Sequence, residues 1–318
     1  MTAATLRPLG DTGLLVSPVT LGGAPLGSMP ENFGHEVAEA DALALVDQVL
    51  RSGIRTIDTA NGYSDGRSES RIGRAIAEFG GLPDDVTVIT KVDARDGDYS
   101  GERVHRSIAE STERLGISPL PLVHLHDPEF HDFDELTGRG GAVEALVAAR
   151  DRGEVQHIGL AGGNVHAMRR YLELGVFEVL LVHNRWTLVD RSAGPLLDRA
   201  TELGVGVVNA AVLGGGILAD ESGRSTTYGY RPASPDTLRS IARMRELCHQ
   251  FGTTLAAAAL RFSTRDARFA STVVGISRPE RIRPTLDAAD LDLPEGFWAA
   301  IEDLVPNPEH WIDASDAR

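Results

Sequence analysis

The stretch Gly53-Ile54-Arg55-Thr56-Ile57-Asp58-Thr59-Ala60-Asn61-Gly62-Tyr63 opens as a short apolar strand and breaks into a loop at Asn-Gly. It therefore places a carboxylate at a strand tip and a phenol a few residues beyond it. Rigid elements hold the loops at their ends, which is why catalytic groups gather there, and a phenol beside a fixed acid can exchange a proton once its neighbours set its pKa. The next two strand-like runs finish in the same manner: Val86-Thr87-Val88-Ile89-Thr90 ends in Lys91, and Leu120-Pro121-Leu122-Val123-His124-Leu125 ends in His126-Asp127-Pro128. Taken singly, each residue has an ordinary structural use, since Asp caps and turns, Lys solvates a strand end and His precedes a turn. One ionisable group at each of three successive strand ends is the pattern that points to a site.

Outward from these strands the chain alternates regularly. Strand-like segments centre near Thr20, Ile57, Val88, Val123, Ile158, Leu181, Val207 and Val273, and helical periodicity fills the intervals at 39–50, 69–79, 103–115 and 142–150. Gly53, Gly80-Gly81, Gly116, Gly153, Gly175 and Gly204 follow apolar-periodic segments, where a helix commonly ends on a left-handed residue. Eight strands separated by helices predict a closed parallel α/β barrel with its site at the carboxyl ends of the strands. Residues 6–19, with Asp11-Thr12-Gly13 at their middle, read as a β-hairpin. Residues 1–318 read as a single domain, a usual length for this architecture, and 42% hydrophobic content suffices for its core.

Forty-six acidic against 31 basic residues give a formal charge of -15, which repels polyanions and argues against nucleic acid as a partner. A lone cysteine, Cys248, excludes an intramolecular disulfide framework and fits a reducing compartment. No signal-like start and no membrane-length apolar run is present, so the sequence predicts a cytoplasmic protein acting on a small molecule, away from membranes.

With these motifs in place, the chain resembles the aldo-keto reductases. Asp58 and Tyr63 stand in Asp-Thr-Ala-x-x-Tyr, Lys91 closes a Thr-Lys-Val strand, and His126 begins His-Asp-Pro-Glu, which is similar to the family's His-x-Pro motif. The resemblance runs from Arg7-Pro8-Leu9-Gly10 to Arg278-Pro279-Glu280-Arg281-Ile282. Trp186-Thr187-Leu188-Val189-Asp190-Arg191 and the run from Val212 to Leu218 look most like the branch that oxidises free sugars, with its L-fucose, D-threo-aldose and L-galactose dehydrogenases and a pyridoxal dehydrogenase. It implies a (β/α)8 TIM barrel plugged at its bottom by the N-terminal hairpin. It also implies NAD(P)-dependent hydride transfer to or from an aldose, taking the anomeric hydroxyl to a lactone, or a related aldehyde, alcohol or pyridoxal. Tyr63 would be general acid and base, Lys91 would lower its pKa, Asp58 would keep Lys91 charged, and His126 would orient the substrate oxygen.

No Gly-x-Gly-x-x-Gly fingerprint follows the first strand, which disfavours a Rossmann site. The resemblance implies instead an extended dinucleotide across the barrel mouth, touching Gly23 and Asp58. Trp186 would stack on the nicotinamide, with an indole buried under a loop as the structural alternative, and His183 and Asn164 would bind the carboxamide. Leu213, Gly215, Gly216 and Leu218 would surround the pyrophosphate, with Ser277, Arg278 and Arg281 on a phosphate. The family's Ser-Asn pair is replaced by Ala161-Gly162-Gly163-Asn164, its Lys-Ser pair by Gly275-Ile276, and its adenine-contacting Asn by Thr285, so NAD versus NADP stays open. Pro25, Leu26, Met29, Arg185, Trp186 and the Tyr228-Gly229-Tyr230 loop would shape the substrate pocket. No metal is expected on this reading. The rival from another class is a metal-dependent barrel hydrolase using His124 and His126, helped by His157 and His183. A Schiff-base aldolase through Lys91 and a dinucleotide sensor without turnover complete the alternatives.

Overall fold

The computed structural model describes residues 5–30, 34 and 36–314. Two short strands, β1 (Arg7–Pro8) and β2 (Leu15–Val16), form an antiparallel hairpin. Eight parallel strands then close into a barrel: β3 (Val19–Gly22), β4 (Thr56–Asp58), β5 (Thr87–Val92), β6 (Leu120–His126), β7 (Val155–Gly162), β8 (Val179–His183), β9 (Gly206–Ala210) and β12 (Phe269–Gly275). The remaining pair, β10 (Thr227–Tyr228) and β11 (Arg231–Pro232), makes a small hairpin of its own between β9 and β12.

The helices are α1 (Glu39–Leu50), α2 (Arg67–Phe79), α3 (Gly101–Leu115), α4 (Phe133–Thr137), α5 (Ala142–Asp151), α6 (Val165–Leu172), α7 (Gly194–Glu202), α8 (Pro235–Gln250), α9 (Leu255–Thr264), α10 (Ile282–Ala289) and α11 (Glu295–Glu302). Their apolar faces bury against the outside of the barrel in one continuous core, and α8, α9 and α11 share a second. Several ends are capped as their sequences dictate: the Ser100, Asn164, Ser234 and Thr254 side chains accept backbone N–H groups of the first turns of α3, α6, α8 and α9. Gly80, Gly116, Gly153, Gly175 and Gly204 adopt positive φ after their helices. Gly53 does not. After α1 the chain turns instead through Ser52, whose N–H reaches Val49 O and whose hydroxyl accepts from Ile54 N–H, so no left-handed residue is needed there.

The first hairpin closes the amino-terminal end of the barrel. Leu9 and Val16 are fully buried with Ile89, Leu122, Val179 and Val208, which fill the barrel interior. Gly10, at φ 56°, comes so near the start of β9 that a Cβ would overlap Gly206, and Asp11 N–H donates to Gly204 O. Closure between β12 and β3 is stitched by hydroxyls: Thr20 and Ser271 Oγ lie 2.6 Å apart, and Ser271 also donates to Ser17 O. With the bottom filled, the opposite end is left for a site.

Candidate active site

β4 is buried along its whole length and delivers Asp58 at its carboxyl end. Two residues beyond Ile89, which pairs with Asp58, β5 delivers Lys91 in register with His124 of β6. The Lys91 side chain is only 2% exposed, and its ammonium finds three acceptors: Asp58 Oδ1 at 2.5 Å, Thr59 O at 2.7 Å and the Tyr63 hydroxyl at 3.3 Å. A buried cation persists only when its donors are met in this way. Burial works to strip the Lys91 proton, but Asp58 and Tyr63 more than offset it and hold the pKa above its ordinary value.

Tyr63 follows the one-turn loop after β4, with its hydroxyl end over Lys91 and its ring edge-on to His126, centroids 5.6 Å apart. Burial pushes its pKa well above the ordinary phenol value, more than Lys91 pulls it down. This corrects the expectation of a phenol made acidic by Lys91: in the free protein Tyr63 is a protonated donor, because desolvation of a phenolate outweighs one ammonium already paired with Asp58.

His126, at the tip of β6, places Nδ1 2.6 Å from Asp93 Oδ1, and its backbone N–H donates to the Tyr99 hydroxyl at 2.9 Å. Burial opposes its charge, yet Asp93 and Asp127 together raise its pKa. His183 joins the same cluster through Asp127, with Nε2 3.5 Å from Asp127 Oδ1. Burial would raise the Asp127 carboxyl, but His126 and His183 hold it well below the ordinary range. Sequence reasoning missed both acids. Asp93 was findable, because it stands two residues past Lys91 and so projects to the same side of β5.

The expected cofactor residues divide. Gly215 and Gly216 are left-handed at φ 76° and 103°, and a Cβ on Gly216 would meet nothing within 4 Å, so this loop offers an open backbone surface. Leu213 O accepts the N–H groups of Gly216 and Leu218, and the Leu218 side chain is buried in the second core. Beyond β12, Ser277 is half-buried, while Arg278 and Arg281 are exposed and form no ion pair among the described residues. A 3-10 turn, Pro279–Arg281, runs directly into α10, so the Arg281 and Ile282 N–H groups already donate to Arg278 O and Pro279 O and Pro284 has none; the helix start expected to hold a phosphate leaves little free backbone for it. The open glycine backbone after β9 and the two guanidinium groups after β12, which form no ion pair among the described residues, lie at the same end of the barrel and suit a dinucleotide's phosphates.

Other assignments change. The Trp186 ring stacks on Phe262 of α9 at 5.9 Å and carries the Arg268 guanidinium 4.4 Å from its centroid. These contacts pack the indole against α9 while leaving the residue partly exposed. Asn164 Oδ1 caps α6, accepting from His166 and Ala167 N–H. Gly23 packs tightly, its N–H donating to Asp58 O at 2.7 Å and a Cβ there falling 2.8 Å from the same oxygen. Arg185 is buried and forked onto Asp313 at 3.0 and 3.2 Å, and Tyr228 is buried with its hydroxyl 2.7 Å from Asn184 O, so of the expected pocket loop only Tyr230 is widely exposed. The four histidines of the metal reading do not converge. His124 lies fully buried below the site and is kept neutral by burial, His126 is engaged by Asp93, and His157 pairs with Glu178 at 2.8 Å. Asp127, Glu129 and His183 do bring ligating atoms within 4.8 Å of one another, but His183 already pairs with Asp127 and Glu129 Oε1 with the N–H groups of Gly163 and Asn164.

No helix among the described residues is long and apolar enough to cross a membrane. Residues 18–306 match the model of the Aldo/keto reductase family. The chain is 31% identical to pyridoxal 4-dehydrogenase of Microbacterium luteolum, covering 94% of this chain and 97% of the relative. It is 30% identical to D-threo-aldose 1-dehydrogenase of a Pseudomonas species, covering 93% and 97%. Its barrel superposes on the holo form of an aldo-keto reductase from Bacillus halodurans with a TM-score of 0.74 at 20% identity, over 95% of this chain and 96% of the other. A closed barrel presenting Asp58, Tyr63, Lys91 and His126 together at one mouth and a family match across nearly the whole chain lead to one statement: this protein belongs to the aldo/keto reductase family and is a nicotinamide-dependent oxidoreductase.

Proposed function

We propose that the protein oxidises an aldose at its anomeric hydroxyl, giving the lactone, with Tyr63 as the proton-transfer group. The observation that carries this reading is the Lys91 ammonium bonded at once to Asp58, Thr59 O and the Tyr63 hydroxyl. A bound nicotinamide supplies the hydride acceptor and, when oxidised, a positive ring. That added positive charge would ease proton loss from Tyr63, which the Lys91 ammonium already favours against the cost of burying a phenolate. In the oxidative direction the phenolate takes the hydroxyl proton as hydride leaves the same carbon; in the reverse direction the phenol gives its proton to the carbonyl oxygen. The protonated His126 donates its Nε2–H to that oxygen, and Asp58 keeps Lys91 aimed at the phenol.

Support for a sugar comes from the similarity to an aldose 1-dehydrogenase and from Tyr230, 62% exposed, whose ring face suits the apolar face of a pyranose. Similarity to pyridoxal 4-dehydrogenase supports pyridoxal as the second substrate reading. Arg278 and Arg281 would grip a 2'-phosphate, which favours NADP over NAD. Tyr63→Phe should lower kcat by about 10²–10⁴-fold with dinucleotide affinity retained; near-wild-type turnover would refute the assignment. A panel of free sugars and pyridoxal, followed by reduced-nicotinamide absorbance, decides the substrate, and activity on pyridoxal but no sugar would remove the aldose choice.

A further inference from the structure

Asp93 lies directly beyond β5, and both of its carboxylate oxygens are occupied. Oδ1 faces His126 Nδ1 at 2.6 Å, and Oδ2 accepts the Gly62 N–H at 2.6 Å. Gly62 immediately precedes Tyr63, and a Cβ at Gly62 would fall 2.8 Å from Asp93 Cγ, so the carboxylate can approach only because that position is glycine. One carboxylate thus joins the strand end bearing His126 to the loop bearing Tyr63.

We propose that Asp93 is a positioning residue for the reaction, fixing the His126 ring with Nδ1–H toward its carboxylate and Nε2 toward substrate while holding the Tyr63 loop at the matching height. This rests on the reading that Tyr63 and His126 share one substrate oxygen. The groups facing the imidazole are Asp93 and Asp127, which favour its charge, Lys91 and the buried His124 beneath, which oppose it, and the edge of Tyr63. Asp127 Oδ2 stands 3.8 Å from Nε2, too far for a hydrogen bond, so that nitrogen is left for the substrate. Asp93 contacts Nδ1 directly and therefore sets both tautomer and charge.

Nitrogen-15 NMR of the His126 ring tests this in the wild-type protein without any turnover. The neutral ring is expected as the Nδ1–H tautomer, and the Nε2–H tautomer would overturn the proposal. In Asp93→Asn the His126 titration midpoint should fall by about one unit or more. The alkaline limb of kcat/KM should move to lower pH with it, with dinucleotide affinity unchanged. A folded variant in which neither moves would overturn the proposal, as a purely structural role would lower only the melting temperature. Should Tyr63→Phe keep full activity, the redox assignment fails while the NMR result still judges the Asp93 to His126 link on its own.

Discussion

Replacing Lys91 by Met keeps the aliphatic stem and removes the ammonium, which isolates the contribution of the charge. Lys91 and Asp58 are 2% and 4% exposed and 2.5 Å apart. At an effective dielectric near 20 their gross attraction is roughly 6–7 kcal/mol. Most of that only repays the cost of taking two charges out of water, so the pair as a whole adds little to stability. Breaking it from one side is different: Lys91→Met leaves a buried carboxylate, the Thr59 carbonyl and the Tyr63 hydroxyl without their donor. The expected destabilisation is about 3–5 kcal/mol, read as a lowered urea midpoint. The double variant Asp58→Asn/Lys91→Met removes the stranded charge and should regain at least about 2 kcal/mol of it, a coupling typical of contacting residues. Both variants should lose turnover, since Tyr63 loses its neighbouring cation in each. A loss under about 1 kcal/mol for the single variant, or equal losses for single and double, would show that the charges are not a coupled buried pair and would refute the reasoning.

Two further outcomes follow from the same geometry. Arg278→Ala/Arg281→Ala should weaken NADPH binding by about 10–100-fold, the loss of one or two charge-assisted contacts, and leave NADH binding unchanged; equal weakening of both would place the 2'-phosphate elsewhere. Gly73→Ala in α2 gains about 1 kcal/mol of helix propensity, but its Cβ would fall 1.9 Å from Arg114 O at the end of α3. Overpacking against a backbone atom should win by about 1–3 kcal/mol, so the melting temperature should fall, and a rise would show that α2 and α3 are not held so close.

Much was legible from local pattern. Eight strand centres fell inside the eight barrel strands because a period of two and a period of 3.6 are written in consecutive residues. Asp58, Lys91 and His126 were found because parallel barrel strands all point the same way, so a residue ending a strand in sequence ends at one mouth in space. Asp93 was overlooked although its spacing from Lys91 was visible, since its partner lies 33 residues away. Arg185 was read as a pocket residue because its ion pair with Asp313 spans 128 positions.

Sequence alone thus determined which elements form and which ionisable groups share an end of the barrel. Tertiary structure decided what each group faces: it packed Trp186 on Phe262 and set Asp93 against His126. It also made Tyr63 a protonated donor where the sequence suggested an acidified phenol. The reason is physical. Periodicity and strand polarity are properties of neighbours along the chain, whereas desolvation and close contact depend on the atoms that distant segments bring into one place.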